Sequence, residues 1–253
     1  ATGANTDTFS SQGSNGNRPY QATADITSIV SASGTGQYTV GDLVANNGAD
    51  SLGFYGGWSL VVVYENNALP YRRLSLFDGA ARVTNTTTIP ITVTGLLTPL
   101  SGNFYTGIGA MVWEGDSNIN GDRFRFEGTN IDQAPLNPLN NFWNSSISEN
   151  NVRVTTKNPD YVNQLGMDID FVDVSSLNAW GNGETEATIE FVTDGDYYYP
   201  HYLAFVTELH VPDFSTSLTK TAIDLNGGDV GRGDVIEYQI SFTNDGQDSA
   251  INT

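Results

Sequence analysis

The 253-residue chain contains no cysteine, only two histidines and two methionines, and two lysines, Lys157 and Lys220. The absence of cysteine removes disulfides, thiol nucleophiles and cysteine-ligated zinc, but leaves the compartment open, because a domain of this length can be stable without cross-links. The shortage of positive charge is more restrictive. Ten Lys and Arg against 29 Asp and Glu give a net charge of −19, so no basic patch exists to neutralise phosphates, and nucleic acid is excluded as a partner. Anionic membrane surfaces are disfavoured for the same reason. No apolar run reaches the roughly 18 residues of a membrane-spanning helix. The start, Ala1-Thr-Gly-Ala-Asn-Thr-Asp7, lacks an initiator methionine and an apolar signal core, and reads as a mature or excised piece.

What is present is Asn, Thr, Gly and Tyr, the habit of an exported β-protein, with a negative surplus suited to cations and to salty or calcium-rich surroundings. Residues 1–19 are Ser/Asn/Gly-rich and read as irregular. Beyond them, short β-branched and aromatic segments alternate with Gly, Asn, Asp and Pro. This predicts strands at 24–30, 36–44, 58–65, 73–77, 88–94, 107–113, 122–127, 152–156, 168–174, 186–193 and 201–209. Helix is confined to a turn or two at 160–165 and within 132–146. The run Ser59-Leu-Val-Val-Val-Tyr64 is apolar on both faces and predicts a central buried strand. Asp168 and Asp170 alternate with Ile169 and Phe171, which predicts a strand with one wet face. The fold class expected is all-β: a jelly-roll-like antiparallel β-sandwich over 1–212, followed at 213–253 by an incomplete immunoglobulin-like β module.

One motif stands out. Asp116-Ser-Asn118-Ile-Asn120-Gly121-Asp122, ending at Glu127, has the spacing of the twelve-residue EF-hand calcium loop. Oxygen donors occupy positions 1, 3 and 5, glycine position 6 and a carboxylate position 12. Its flanks read as strands rather than helices, so five extended residues carry Glu127 about 16 Å from the loop. Glu114 is better placed to replace it. The expected metal set is therefore Asp116, Asn118, Asn120, Asp122 (through its backbone carbonyl) and Glu114, and the expected ion is calcium. A polar turn rich in Asp, Asn and Gly is the plain alternative. Weaker candidates are Asp168 with Asp170, where like charges on one strand face call for a cation or arginine, and Asp224, Asn226 and Asp229. Asp194-Gly-Asp196 is a weaker version of the same oxygen-rich theme, with too few donors for a complete shell, and reads as a turn. No catalytic set emerges. His201 and His210 lie at opposite ends of one strand region, too far apart for one zinc site, and no nucleophile motif is present. Glu114 with Asp116, or Glu184 with Glu186, suit glycoside hydrolysis by type but sit in local loops.

Beyond Val211-Pro-Asp-Phe-Ser215 the text changes. Lys220 after a short strand, Asn226-Gly-Gly, Gly233-Asp234 before Tyr238, and Asn244-Asp-Gly246 are similar to the opening of the conserved immunoglobulin-like repeat found in tandem in large bacterial and archaeal surface proteins. Trp58-Ser-Leu-Val-Val-Val-Tyr-Glu65, Ala24-Asp-Ile-Thr27, Phe77-Asp-Gly79 and Glu114-Gly-Asp116 resemble the adhesin-like region that precedes such repeats. The resemblance implies an extracellular or cell-surface domain, adhesive or structural and not an enzyme, with a glycan or another surface protein as ligand. About forty residues are roughly half of such a module. It is cut, packed on the first domain, or completed by a strand from another chain, which would make a homo-oligomer or fibre subunit. A calcium-dependent carbohydrate-binding domain is the other reading.

Overall fold

A computed structural model describes residues 5–9, 16, 18–46, 48, 54–66, 68–212, 214 and 217–246. In chain order they form β1 (Asn5–Thr8), β2 (Tyr20–Thr23), α1 (Thr27–Ser33), β3 (Arg72–Asp78), β4 (Ile89–Thr94), β5 (Thr106–Gly115) and β6 (Asp122–Phe126). There follow β7 (Thr129–Asn130), β8 (Ile147–Glu149), β9 (Val152–Arg153), β10 (Gly166–Asp173), β11 (Glu186–Thr193), β12 (Tyr199–Glu208), β13 (Thr219–Asp224) and β14 (Ile236–Ser241). The body is an all-β sandwich. One sheet has the order β3-β12-β5-β10-β8-β9 and the other β4-β11-β6-β7; β1 pairs with β2 and β13 with β14. Pairing is antiparallel except for β10 and β8, which run parallel.

Period-two alternation builds the core between the two sheets. Ile108, Ala110 and Val112 of β5, Val172 of β10, and Leu203 and Phe205 of β12 come from one side. Phe124 and Phe126 of β6, and Ala187, Ile189 and Phe191 of β11, come from the other. Phe124 sits at the centre, its ring 5.2 Å from Phe191 and 4.9 Å from Trp143. Each such ring stabilises the fold by about 3 kcal/mol through burial alone. In β5 nine of ten residues are buried, which marks it as the central strand. Its Gly107 and Gly109 lie under the Phe171 ring, where a Cβ would come within 2.8 and 2.6 Å of ring atoms.

The expected strands from 73–77 to 201–209 are present, although 152–156 shrinks to β9, and β8 beside it was not foreseen. Five expectations are corrected. Residues 24–30 are not a strand: Asp25 Oδ1 accepts the Thr27 N–H at 2.8 Å, and α1 starts there, ending where Gly34 turns to φ 62°. Residues 36–44 carry no strand, and residues 5–8 form one although 1–19 read as irregular. The rest of that stretch, at 1–4, 10–15 and 17, lies outside the described residues, as do 213, 215 and 216 at the expected domain boundary. Residues 58–65 are not the buried centre of a sheet. That place is taken by β5, and Val62, Val63 and Tyr64 remain 51%, 63% and 71% exposed.

The fifth correction concerns β10. Asp168 and Asp170 point inward with Val172 and are fully buried, while Ile169 and Phe171 are half-buried on the outer face. Hydrogen bonds make this tolerable. Asp168 Oδ1 accepts the N–H groups of Asn144 (2.8 Å) and Ser146 (2.9 Å), and Asp170 Oδ1 accepts the Ser148 hydroxyl at 2.5 Å. The pair thus anchors the segment that carries Phe142 and Trp143 into the core. Burial and mutual repulsion push the Asp168 carboxyl far up, and burial raises Asp170 as well.

Phe191→Ala should lower the unfolding free energy by about 3–5 kcal/mol, measured by urea denaturation, while Val152→Ala, at an exposed site, should change it by less than about 0.5 kcal/mol. Equal effects would contradict this core assignment.

Candidate metal centre

The end of the sandwich where β5 stops and β6 begins collects carboxylates. On β10, Met167 opposes Trp113 and Gly166 opposes Gly115, so Glu114 is the extra residue of a β-bulge. Its φ is 74°, a left-handed conformation costly for a side-chain-bearing residue. Bulges re-aim side chains, and this one holds Glu114 buried at the sandwich end, 7% exposed. The chain then turns through Asp116–Gly121 and re-enters the sheet at Asp122, whose β11 partner is Thr193. Asp122 is completely buried.

The β11–β12 connection supplies the third side. It packs against the Asp116–Gly121 turn so closely that a Cβ on Gly121 would lie 2.6 Å from the Gly195 nitrogen. Glycine is required there by both space and its φ of 135°. A backbone hydrogen bond from Asp194 N–H to Gly121 O (3.3 Å) links the two loops, and one from Gly121 N–H to Asn140 O (2.6 Å) ties the turn to the segment before β8. As a result, one oxygen each from Glu114, Asp116 and Asp196 lie within 4.8 Å of one another. Oxygens that share a calcium ion at about 2.4 Å can be no more than about 5 Å apart, so the spacing suits that ion.

Electrostatics at this end are unbalanced. Glu114 Oε2, both Asp122 oxygens and Asp196 Oδ2 are buried without a hydrogen-bond partner. None of Glu114, Asp116, Asp122 and Asp196 has an ion pair among the described residues. Arg123, the nearest cation in sequence, is taken by Asp194. Burial, reinforced by Asp196 and Asp116, pushes Glu114 up to about 9, with the Tyr55 hydroxyl pulling the other way through a hydrogen bond. Burial likewise raises Asp122 to about 7, with the nearby Thr193 side chain, which makes no well-formed hydrogen bond to it, pulling the other way, and raises Asp196.

The expected ligand set is thus partly assembled. Glu114 and Asp116 meet, and the Asp122 carboxylate lies beside them, its charge felt by Glu114. The Asp122 backbone carbonyl, expected as a ligand, instead accepts the Phe142 N–H at 3.0 Å. Asn118 and Asn120 are exposed on the turn. Glu127 lies at the far end of β6, where its Oε1 accepts the Thr188 N–H at 2.5 Å. Sequence reasoning kept Asp196 apart, in a separate and weaker turn, and did not join it to Glu114 and Asp116. Asp194-Gly-Asp196 was visible as a turn, but only the pairing of β6 with β11 brings it to the loop eighty residues before it. Asp168 and Asp170 serve the core, as described. Asp224 and Asn226 are used in a turn: Asp224 Oδ1 accepts the Asn226 N–H at 2.9 Å, and Asn226 Oδ1 the Val235 N–H at 2.8 Å. Asp229 is exposed beyond it.

Fold and cluster together define an all-β sandwich with one carboxylate-lined end. No protein-family model matches the chain, and comparison with curated proteins and with solved structures finds no match.

The raised carboxyls set a pH dependence. A group whose folded pKa lies above its unfolded value favours the fold while protonated, so that contribution is complete below about 4 and is lost as pH rises. For Asp122 and Glu114 the loss runs through about 7 and about 9. The melting temperature of the calcium-free protein should therefore fall between pH 5 and pH 9, and Glu114→Gln should flatten the part above pH 7. A melting temperature that rises over this interval would contradict the assignment.

Proposed function

We propose that this chain is a non-catalytic domain of an extracellular or cell-surface protein, adhesive or structural in role, stiffened by calcium at Glu114, Asp116 and Asp196 with Asp122 alongside. The observation that carries this reading is the meeting of three carboxylates within 4.8 Å, beside a fully buried Asp122 whose oxygens have no partner. Carboxylates at that separation repel strongly in a desolvated site unless a proton or a cation lies between them. An all-oxygen donor set without histidine or cysteine suits a hard ion, and its irregular geometry suits calcium better than octahedral magnesium. The ion would join the end of β5 and the turn that directly follows it to the β11–β12 connection, about eighty residues further along the chain. The role is mechanical: an ion that binds only the folded state stabilises it by mass action, and extracellular calcium is plentiful enough to do so. The net charge of −19 and the absence of cysteine are compatible with that setting.

Thermal melts in millimolar calcium and in chelator test the reading. Saturation at about 100 times Kd should raise the melting temperature by about 5–10 °C, and Asp116→Ala and Asp196→Asn should each abolish the rise. Identical melting temperatures with calcium and with chelator would sink the proposal.

A further inference from the structure

Residues 58–65 combine strong β-propensity with large exposure. Val61, Val62, Val63 and Tyr64 are 42%, 51%, 63% and 71% exposed, an unusual state for three consecutive β-branched residues and the aromatic one that follows. Among the described residues β3, at one end of the six-stranded sheet, pairs only with β12, so its other edge presents unpaired N–H and C=O groups to them. A groove of about 370 Å³ runs along that edge between β3 and β4, lined by Leu74, Leu76, Phe77 and Val93 among others. Leu74 and Leu76 are 51% and 45% exposed.

We infer that residues 58–65 add to this edge as a further strand, antiparallel to β3, with residues 66–71 as the hairpin connection. The ends of the segment favour this polarity. Tyr55 stacks on Trp113 (6.2 Å between centroids), and a Cβ at Gly57 would come within 2.9 Å of the same ring and 3.8 Å of Met167 Sδ. Trp113 faces Tyr199 across the β5–β12 pair, and Asp78 faces Tyr202, so the segment enters at the Asp78 end of β3. At its other end the chain already turns, with Leu69 N–H to Asn66 O at 3.1 Å and Ala68 N–H to Asn66 Oδ1 at 3.0 Å, before Arg72 begins β3 opposite Glu208. Eight extended residues span about 26 Å, enough to run the length of β3.

Side chains match in the register that the six-residue connection sets, with Glu65 opposite Arg72. Ser75 and Phe77 oppose the core residues Phe205 and Leu203, so they define the inner face of β3. In this register Leu60 meets Phe77 and Val62 meets Ser75 on that face, filling the groove. Val61 meets Leu76 and Val63 meets Leu74 on the outer face. Glu65 and Tyr64 come opposite Arg72 and Arg73, a complementary charge and a ring for a guanidinium. A second copy could offer the same strand, but a connection of six residues gives the intramolecular arm a local concentration of about millimolar or more.

Because the chain has no cysteine, paired substitutions read the register directly. In the full chain under mild oxidation, Val63→Cys with Leu74→Cys should close a disulfide within one molecule. Val62→Cys with Leu74→Cys, whose thiols would lie on opposite faces, should not. Hydrogen exchange of the unmodified protein should show the amides of 60–64 slowed by about 100-fold or more relative to an unpaired chain. A disulfide that forms only between two chains would assign the edge to a second copy and overturn the inference. So would equal closure of both pairs, or failure of both with unprotected amides.

Discussion

Like-charge repulsion inside a desolvated space is the constraint around which one end of this molecule is organised. Glu114, Asp116, Asp122 and Asp196 are gathered there, and none has a cationic partner among the described residues. The gathering is built by features that each cost stability. Glu114 takes a left-handed backbone at a bulge, Gly121 and Gly195 bring two loops into backbone contact, and Asp122 is buried with both oxygens unpartnered. A protein has no reason to keep such an arrangement for packing alone. Protons relieve it at low pH, and a divalent cation would relieve it at the pH and calcium level of extracellular fluid.

The second acidic pair shows how differently burial can be handled. Asp168 and Asp170 are also deep inside, yet each uses one oxygen to accept hydrogen bonds from the segment that carries Phe142 and Trp143. Their work is to position an aromatic plug: Trp143 stacks among Phe124, Phe142 and Phe191. Gly115, beside Glu114, ties the two regions together, since Asp168 Oδ2 packs onto the space that a side chain at 115 would need. Core and cluster therefore share a boundary one residue wide.

Much of the fold was legible from alternation. β6 and β11 announce themselves through Phe124 and Phe126, and through Ala187, Ile189 and Phe191, because the two-residue period of a strand is written locally. Face assignment was less secure. Asp168 and Asp170 read as the wet face because polarity usually faces water, but hydrogen bonds from a segment twenty residues away reversed the rule. Of residues 24–30, the last four open α1, with the Thr27 N–H held by Asp25 at its start, despite a β-like composition. At the site, Glu114 and Asp116 were readable from spacing along one turn. Asp196 was not, because nothing local links residue 116 to residue 196 until two strands pair. Of the residues in the calcium-loop spacing, Asp116 joins the carboxylate cluster, and the position-12 carboxylate Glu127 lies at the far end of β6 on the Thr188 N–H.

A calorimetric titration of the calcium-free protein with calcium at pH 7.5, run in two buffers of different protonation enthalpy, tests the central claim most directly. Calcium that replaces protons among these carboxylates must bind with a stoichiometry of one and release close to one proton, since Glu114 is protonated there before the ion arrives. Binding heat that is the same in both buffers, or no saturable heat at millimolar calcium, would contradict the account.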